Sequence, residues 1–169
     1  MNIMQKIKVE KISLNIGTGG PGVELEKALK LLAKITNKKP VETKTKKRIP
    51  TWGLRPDLAI GARVTLRGKE AVELLKRLFN AVDDELPSSK FDNEGNFAFG
   101  VPEYINIPGV TYDAALGIVG FEVAVTLQRP GFRIKRRKIK QKKIPKKHRI
   151  TKDQAIEFIK KEFGVNTGE

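Results

Sequence analysis

The chain of 169 residues contains no cysteine and a single histidine, His148. That inventory excludes disulfides, thiolate nucleophiles and zinc centres built on Cys or clustered His, and one imidazole makes neither a metal cluster nor a conventional catalytic triad. No run approaches the roughly 20 apolar residues that cross a bilayer. The N-terminal MNIMQKIKVEKISLNIG also lacks a signal-peptide core and cleavage site, so a cytosolic location without membrane contact is expected. Acidic residues are missing from one stretch in particular. RPGFRIKRRKIKQKKIPKKHR, from Arg129 to Arg149, has no Asp or Glu and carries +12 of the net charge of +15. A localised block of like charge repels itself in a free chain and is best satisfied by phosphates that release condensed counterions. The block lacks the apolar face of an interfacial helix, so nucleic acid is the favoured partner.

The remaining 148 residues are nearly neutral, with 22 basic and 19 acidic groups, and the 39% hydrophobic share supports a core. KISLNIG alternates Ile12, Leu14 and Ile16 against Lys11, Ser13 and Asn15, the period of a half-buried strand. Ile7 and Val9 are out of phase with that set, which predicts a bulge or irregular entry near Lys11. Residues 23–36 place Leu25, Ala28, Leu29, Leu32 and Ile35 on one helical stripe. A short strand is expected over 40–45, then a long basic loop over 46–60. Ile60, Ala62, Val64 and Leu66 mark a second strand with Arg63, Thr65 and Arg67 outward. Ala71, Leu74, Leu75, Leu78, Phe79 and Val82 mark a second helix that Pro87 stops. Short strands or turns are expected over 91–112, and 119–127 is the strongest strand signal. Thr151 and Gln154 have capping-box spacing ahead of Ala155, Ile156, Ile159 and Phe163, a terminal helix. The expected fold is α+β: an antiparallel or mixed sheet with helices on one face and an open polar face. Residues 1–128, with the basic loop 46–60, are expected to form one α+β domain that binds RNA. Residues 129–169 are expected to form a basic extension and short helix packed on it.

Gly17, Gly19 and Gly22 spell a G-x-G-x-x-G between strand and helix, the arrangement that cradles a dinucleotide. Pro21 removes a donor there and no parallel βαβ array follows, so a glycine-rich turn is the better reading and a nucleotide-binding enzyme the alternative. Asp83, Asp84 and Glu85 read as a solvated helix end. His148 reads as a phosphate or packing contact. Trp52, the only tryptophan, sits among Lys46, Lys47, Arg48 and Arg55. It is balanced between a packing anchor and a platform for a base. The outward row Ser13, Asn15, Arg63, Thr65 and Arg67 offers hydrogen-bonding groups suited to 2′-hydroxyls, phosphates and exposed base edges of structured RNA.

In order over residues 6–163, KISLNIG with its glycine-rich turn, LAKITNKKPVETKTKKRI, GARVTLRG, FDNEGNFAFGV and GIVGFEVAVTLQRPGFRI resemble the universal large-subunit ribosomal protein family that binds 5S rRNA, commonly numbered five. QRPGFRIKRRKIKQKKIPKKHRITKDQAIEFIKKEFG resembles its archaeal and eukaryotic type. The resemblance implies a non-enzymatic role in the central protuberance, without a cofactor, metal or small-molecule substrate. The implied partners are 5S rRNA, large-subunit rRNA, P-site tRNA, neighbouring ribosomal proteins and a small-subunit bridge protein. Contacts to 5S rRNA carry over by motif to Asn15 in LNIG and to Thr65 and Arg67 in VTLRG. Lys38 stands where the family often has Gln, and Ser13 and Arg63 extend the row. Lys46, Lys47, Arg48, Trp52 and Arg55 become the tRNA-facing loop. Phosphate contacts to rRNA fall on Arg133, Lys135, Arg136, Arg137, Lys138, Lys140, Lys142, Lys143, Lys146, Lys147 and Arg149. A transient rRNA assembly factor is the alternative within RNA binding.

Overall fold

Alternation along the chain translates into five strands, which the computed structural model, describing residues 2–168, pairs into one sheet. They are β1 (Lys8–Gly17), β2 (Val41–Lys44), β3 (Ala59–Arg67), β4 (Phe97–Val101) and β5 (Phe121–Gln128). Their order is β2-β3-β1-β5-β4, and all four pairings are antiparallel. Ile12, Leu14 and Ile16 of β1, Ala62, Val64 and Leu66 of β3, and Val123, Val125 and Leu127 of β5 are buried together on one face. The expected irregularity is present, as the register of β1 against β5 shifts between Val9 and Lys11.

Helices α1 (Val23–Thr36) and α2 (Lys69–Asn80) cover that apolar face, α1 against β3 and α2 against β1 and β3. The buried stripe of α1 is Leu25, Ala28, Leu31, Leu32 and Ile35. Leu31 therefore takes a core place expected of Leu29, which is only partly buried. A helical stripe wider than one residue per turn can turn either flank to the sheet, and here the Leu31 flank is the one fully buried. Helix α2 stops earlier than Pro87 requires, because Asp83 and Asp84 both take left-handed backbone (φ 55° and 56°) just beyond it. Strand β5 begins at Phe121, later than the alternation from Val119 suggests. Gly120 approaches Pro102 so closely that a Cβ there would lie 2.6 Å from its carbonyl oxygen.

The third helix, α3 (Lys152–Phe163), starts in the expected capping box of Thr151 and Gln154 and ends at Gly164 in left-handed backbone. Its Ala155 and Ile159, with Ile150 and Val165, join the same core as the sheet. After α3 the chain is tied back where the Asn166 N–H donates to the Asp84 carbonyl (2.8 Å) and the Leu86 N–H donates to that of Asn166 (2.9 Å). Phe79 stands where these layers meet, with ring centroids 5.5 Å from Phe99, 6.2 Å from Phe97 and 5.4 Å from Phe163. Replacing fully buried Phe79 with Ala is expected to cost about 3–5 kcal/mol of unfolding free energy. Urea titration of the two proteins checks this, and a loss below about 1 kcal/mol would place the core elsewhere.

Candidate nucleic-acid interface

The face of the sheet away from α1 and α2 is ordered by the strand registers into rows that cross the strands. Arg67 lies opposite Lys11, which lies opposite Thr126. The next row runs Thr65, Ser13, Ala124, Ala98, and the next Val41, Arg63, Asn15, Glu122, Gly100. Five of the six residues expected on this interface (Ser13, Asn15, Arg63, Thr65 and Arg67) thus share one face across two adjacent strands. The Ser13 and Thr65 hydroxyls are 3.2 Å apart and orient one another. Lys38 is set apart from the rows, in the turn after α1, with its ammonium 3.1 Å from Glu70 on α2.

Glu10 organises one corner of this face. It occupies the bulge between Val9 and Lys11, where an extra residue re-aims a side chain. Its side chain is only 9% exposed, and its carboxylate takes Arg67 at 3.1 Å together with Arg136. Arg136 also donates to the Gln128 side chain at 3.0 Å. The carboxylate therefore ties the platform to the basic block, and both guanidiniums remain about half exposed.

The basic block has little regular structure beyond two short turns of 3-10 helix, at Phe132–Lys135 and Lys146–His148, yet both of its ends are fixed. Arg129 is buried at its start, where its guanidinium donates to the carbonyls of His148 and Arg149 (3.4 Å each) and to the Gln154 side chain (2.8 Å). Its Nε has no partner among the described residues. His148 packs its ring edgewise on Phe132 and lies 2.9 Å from the Pro130 carbonyl oxygen, which makes it a packing group. The eleven candidate phosphate contacts between Arg133 and Arg149 are all exposed, and only Lys135, through Glu94, and Arg136 have carboxylate partners among the described residues.

The basic loop is pinched twice. Thr45 and Leu58 close its neck, and Ile49 and Leu54 exchange both backbone hydrogen bonds (3.0 Å each) below its tip. Leu54 anchors the loop in the protein, while Trp52, at 73% exposure, stands on the tip beside Gly53, whose φ of 65° closes the turn. Trp52 is thus no packing anchor, and Lys46, Lys47, Arg48 and Arg55 surround it in solvent. The glycine turn is no nucleotide cradle. The N–H groups of Thr18 and Gly19 both donate to the Ile60 carbonyl, at 2.9 and 3.2 Å, and the sheet that feeds the turn is antiparallel.

Composition does not mark Glu10 or Arg129 as site residues. The out-of-phase position of Glu10 at the predicted bulge is the available signal for the first. For Arg129 it is a cation directly following a buried strand.

Two family models match the chain: Ribosomal protein L5 over residues 2–55, and the C-terminus of the same ribosomal family over residues 59–161. Their boundary falls inside the basic loop. Among relatives, the large ribosomal subunit protein uL5 of Nanoarchaeum equitans is 49% identical over 163 residues, 96% of each chain. That of Sulfolobus acidocaldarius is 46% identical over 97% of this chain and 92% of its own, and that of Methanosphaera stadtmanae 42% over 98% of both.

Neutralising Glu10 tests its hold on the block. Glu10→Gln is expected to keep the fold, to lose about 1–3 kcal/mol of stability, and to speed tryptic cleavage after Arg136 and Arg137 several-fold. Equal cleavage rates in both proteins would mean that other contacts hold the block.

Proposed function

Because the chain belongs to the ribosomal protein L5 family, in its archaeal form, we propose that it grips 5S rRNA in the central protuberance and helps attach it to the rest of the large subunit. It is a non-enzymatic protein of the large ribosomal subunit, and its partners are the ribosome and its rRNA. The observation that carries the finer reading is the uncovered polar face, where Ser13, Asn15, Arg63, Thr65 and Arg67 project from two paired strands. Backbone pairing fixes their spacing before RNA arrives, so little ordering entropy is lost on binding. Hydroxyl, amide and guanidinium groups in rigid array suit the 2′-hydroxyls and phosphates of folded RNA. Lys38, held by Glu70 beside α2, is kept as a separate RNA contact outside this row.

Residues 1–128 carry recognition on this reading, and residues 129–169 are the anchor. The exposed cations of the block meet phosphates of rRNA and supply affinity with little discrimination. The pinched loop presents Trp52 with Lys46, Lys47, Arg48 and Arg55 to P-site tRNA. Neighbouring ribosomal proteins and a small-subunit bridge protein complete the surroundings.

Sucrose-gradient fractionation tests the role, since stable comigration with mature large subunits is required and recovery with precursor particles alone would assign a transient assembly factor instead. The division of labour has its own test in salt titrations of 5S rRNA binding. Thr65→Ala combined with Arg67→Ala is expected to weaken binding at every salt concentration. Replacing Lys138, Lys140, Lys142 and Lys143 with Gln is expected mainly to flatten the dependence on salt, by roughly 0.7 to 0.9 in slope for each phosphate no longer neutralised. The reverse pattern would move specificity from the sheet to the block.

A further inference from the structure

A carboxylate stands on β5 beside the proposed RNA-binding residues of β1 and β3. Glu122 on β5 is exposed, lies opposite Asn15 on one side and Gly100 on the other, and has no cationic partner among the described residues. An unpaired negative charge on a surface built for a polyanion repels every phosphate near it. Such a group weakens binding unless the RNA brings hydrogen-bond donors to it. In RNA single donors are the 2′-hydroxyls and the exocyclic amino groups, and two donors side by side, which match both oxygens of a carboxylate, are found on the edge of a base.

We propose that Glu122 and Asn15 together read the Watson–Crick edge of one unpaired guanine, an inference that rests on the assignment of the sheet face to RNA. Guanine is the base whose edge places two donors, N1–H and the N2 amino group, beside an acceptor, O6. A carboxylate accepts from both donors at once, and an asparagine amide donates to O6. The register sets Asn15 one strand from Glu122, a spacing of about 4.8 Å between neighbouring strands. The other bases lack this sequence of groups: adenine and cytosine each offer one exocyclic amino group beside an acceptor, and uracil a single imino donor between two carbonyls.

The surroundings leave room for a base. The Glu122 carboxylate leans toward Gly100, where an added Cβ would lie 3.2 Å from its Oε1, and Gly17 opens onto free space. With Gly120, Pro102 and Phe121 they bound a shallow groove of about 390 Å³ at this end of the sheet. A Watson–Crick edge is available only in a loop, bulge or end, so the target is a splayed guanine and not one within a helix. Arg63, next in the same row beyond Asn15, is positioned for the phosphate of that nucleotide.

The experiment pairs the full chain and its Glu122→Gln variant with RNA hairpins carrying a randomised loop, and with 5S rRNA transcribed with partial incorporation of inosine, which lacks the N2 amino group. Glu122 is exposed, so the variant is expected to match the parent in circular dichroism and melting temperature. The parent should enrich loops holding an unpaired guanine, and the variant should lose that preference by about tenfold or more. Inosine should interfere at one position of 5S rRNA with the parent and at no corresponding position with the variant. Tighter binding by the variant with an unchanged loop preference, the result of simple charge repulsion, overturns the proposal. So does interference by a sulfur-substituted phosphate that Mn²⁺ relieves, which would mark a metal bridge. A Glu122-dependent guanine preference without preference for 5S rRNA would keep the guanine site and sink the 5S assignment. Preference for 5S rRNA that ignores Glu122 would do the opposite.

Discussion

Strand β1 is hydrogen-bonded along both edges, and its phase decides what every other part of the molecule can do. Ile12, Leu14 and Ile16 are buried under the helices only because Ser13 and Asn15 face away, and a slip of one residue would exchange the two sets. The hydrophobic effect therefore determines the polar face as firmly as the apolar one. Burial of nearly fully enclosed side chains on β1, β3 and β5 holds the register, and the register aligns Thr65 with Ser13 and Arg63 with Asn15. Register places the backbone of the row, and the Ser13–Thr65 and Arg67–Glu10 contacts then orient side chains within it.

The bulge in β1 is where this order is interrupted, and the interruption is used. A perfectly regular strand would have no extra residue between Val9 and Lys11, and Glu10 would fall into the alternation instead of reaching Arg67 and Arg136. Arg129 does a related task at the other end of the block. A guanidinium offers its donors in a rigid fork, and here they are spread over the His148 and Arg149 carbonyls and Gln154, whose side chain also belongs to the cap of α3. A highly charged segment with almost no regular hydrogen bonding is thereby held at both ends, while the cations between remain in solvent.

Local pattern carries most of the architecture. Period-two and period-three-to-four alternation locates β1, β3, β5 and all three α-helices, β2 is expected without it, and the capping box and bulge are readable from single residues. The misplacements have physical reasons that alternation does not encode. Leu31 replaces Leu29 because the stripe of a helix says which side is apolar but not how far the sheet lies around it. The early end of α2 depends on Asp83 and Asp84 entering left-handed backbone, and the late start of β5 on a close approach between Gly120 and Pro102. For the interface, residue type and strand phase gather Ser13, Asn15, Arg63, Thr65 and Arg67. They do not single out Glu10, Arg129 or Glu122, because an isolated charged residue gains meaning only when its neighbours across the sheet are known. Strand order is long-range information. The attachment of Lys38 to Glu70 is another such interaction.

In the proposed reading charge and recognition are separated, and the separation has a thermodynamic basis. Phosphates repeat identically along any RNA, so an exposed cation gains nearly as much from a wrong partner as from the right one. Adding cations to the block raises affinity for all RNA together and leaves their ratio almost unchanged. A carboxylate acts in the opposite sense: it lowers affinity for every arrangement that offers it a phosphate or a carbonyl and recovers the loss only where paired donors meet it. Specificity is a difference of affinities and gains from such a penalty. On the proposed division, the indiscriminate attraction of the block lets the sheet carry that penalty without losing its partner. On that view the excess of charge in one segment and the acid on the neighbouring face are two halves of one arrangement.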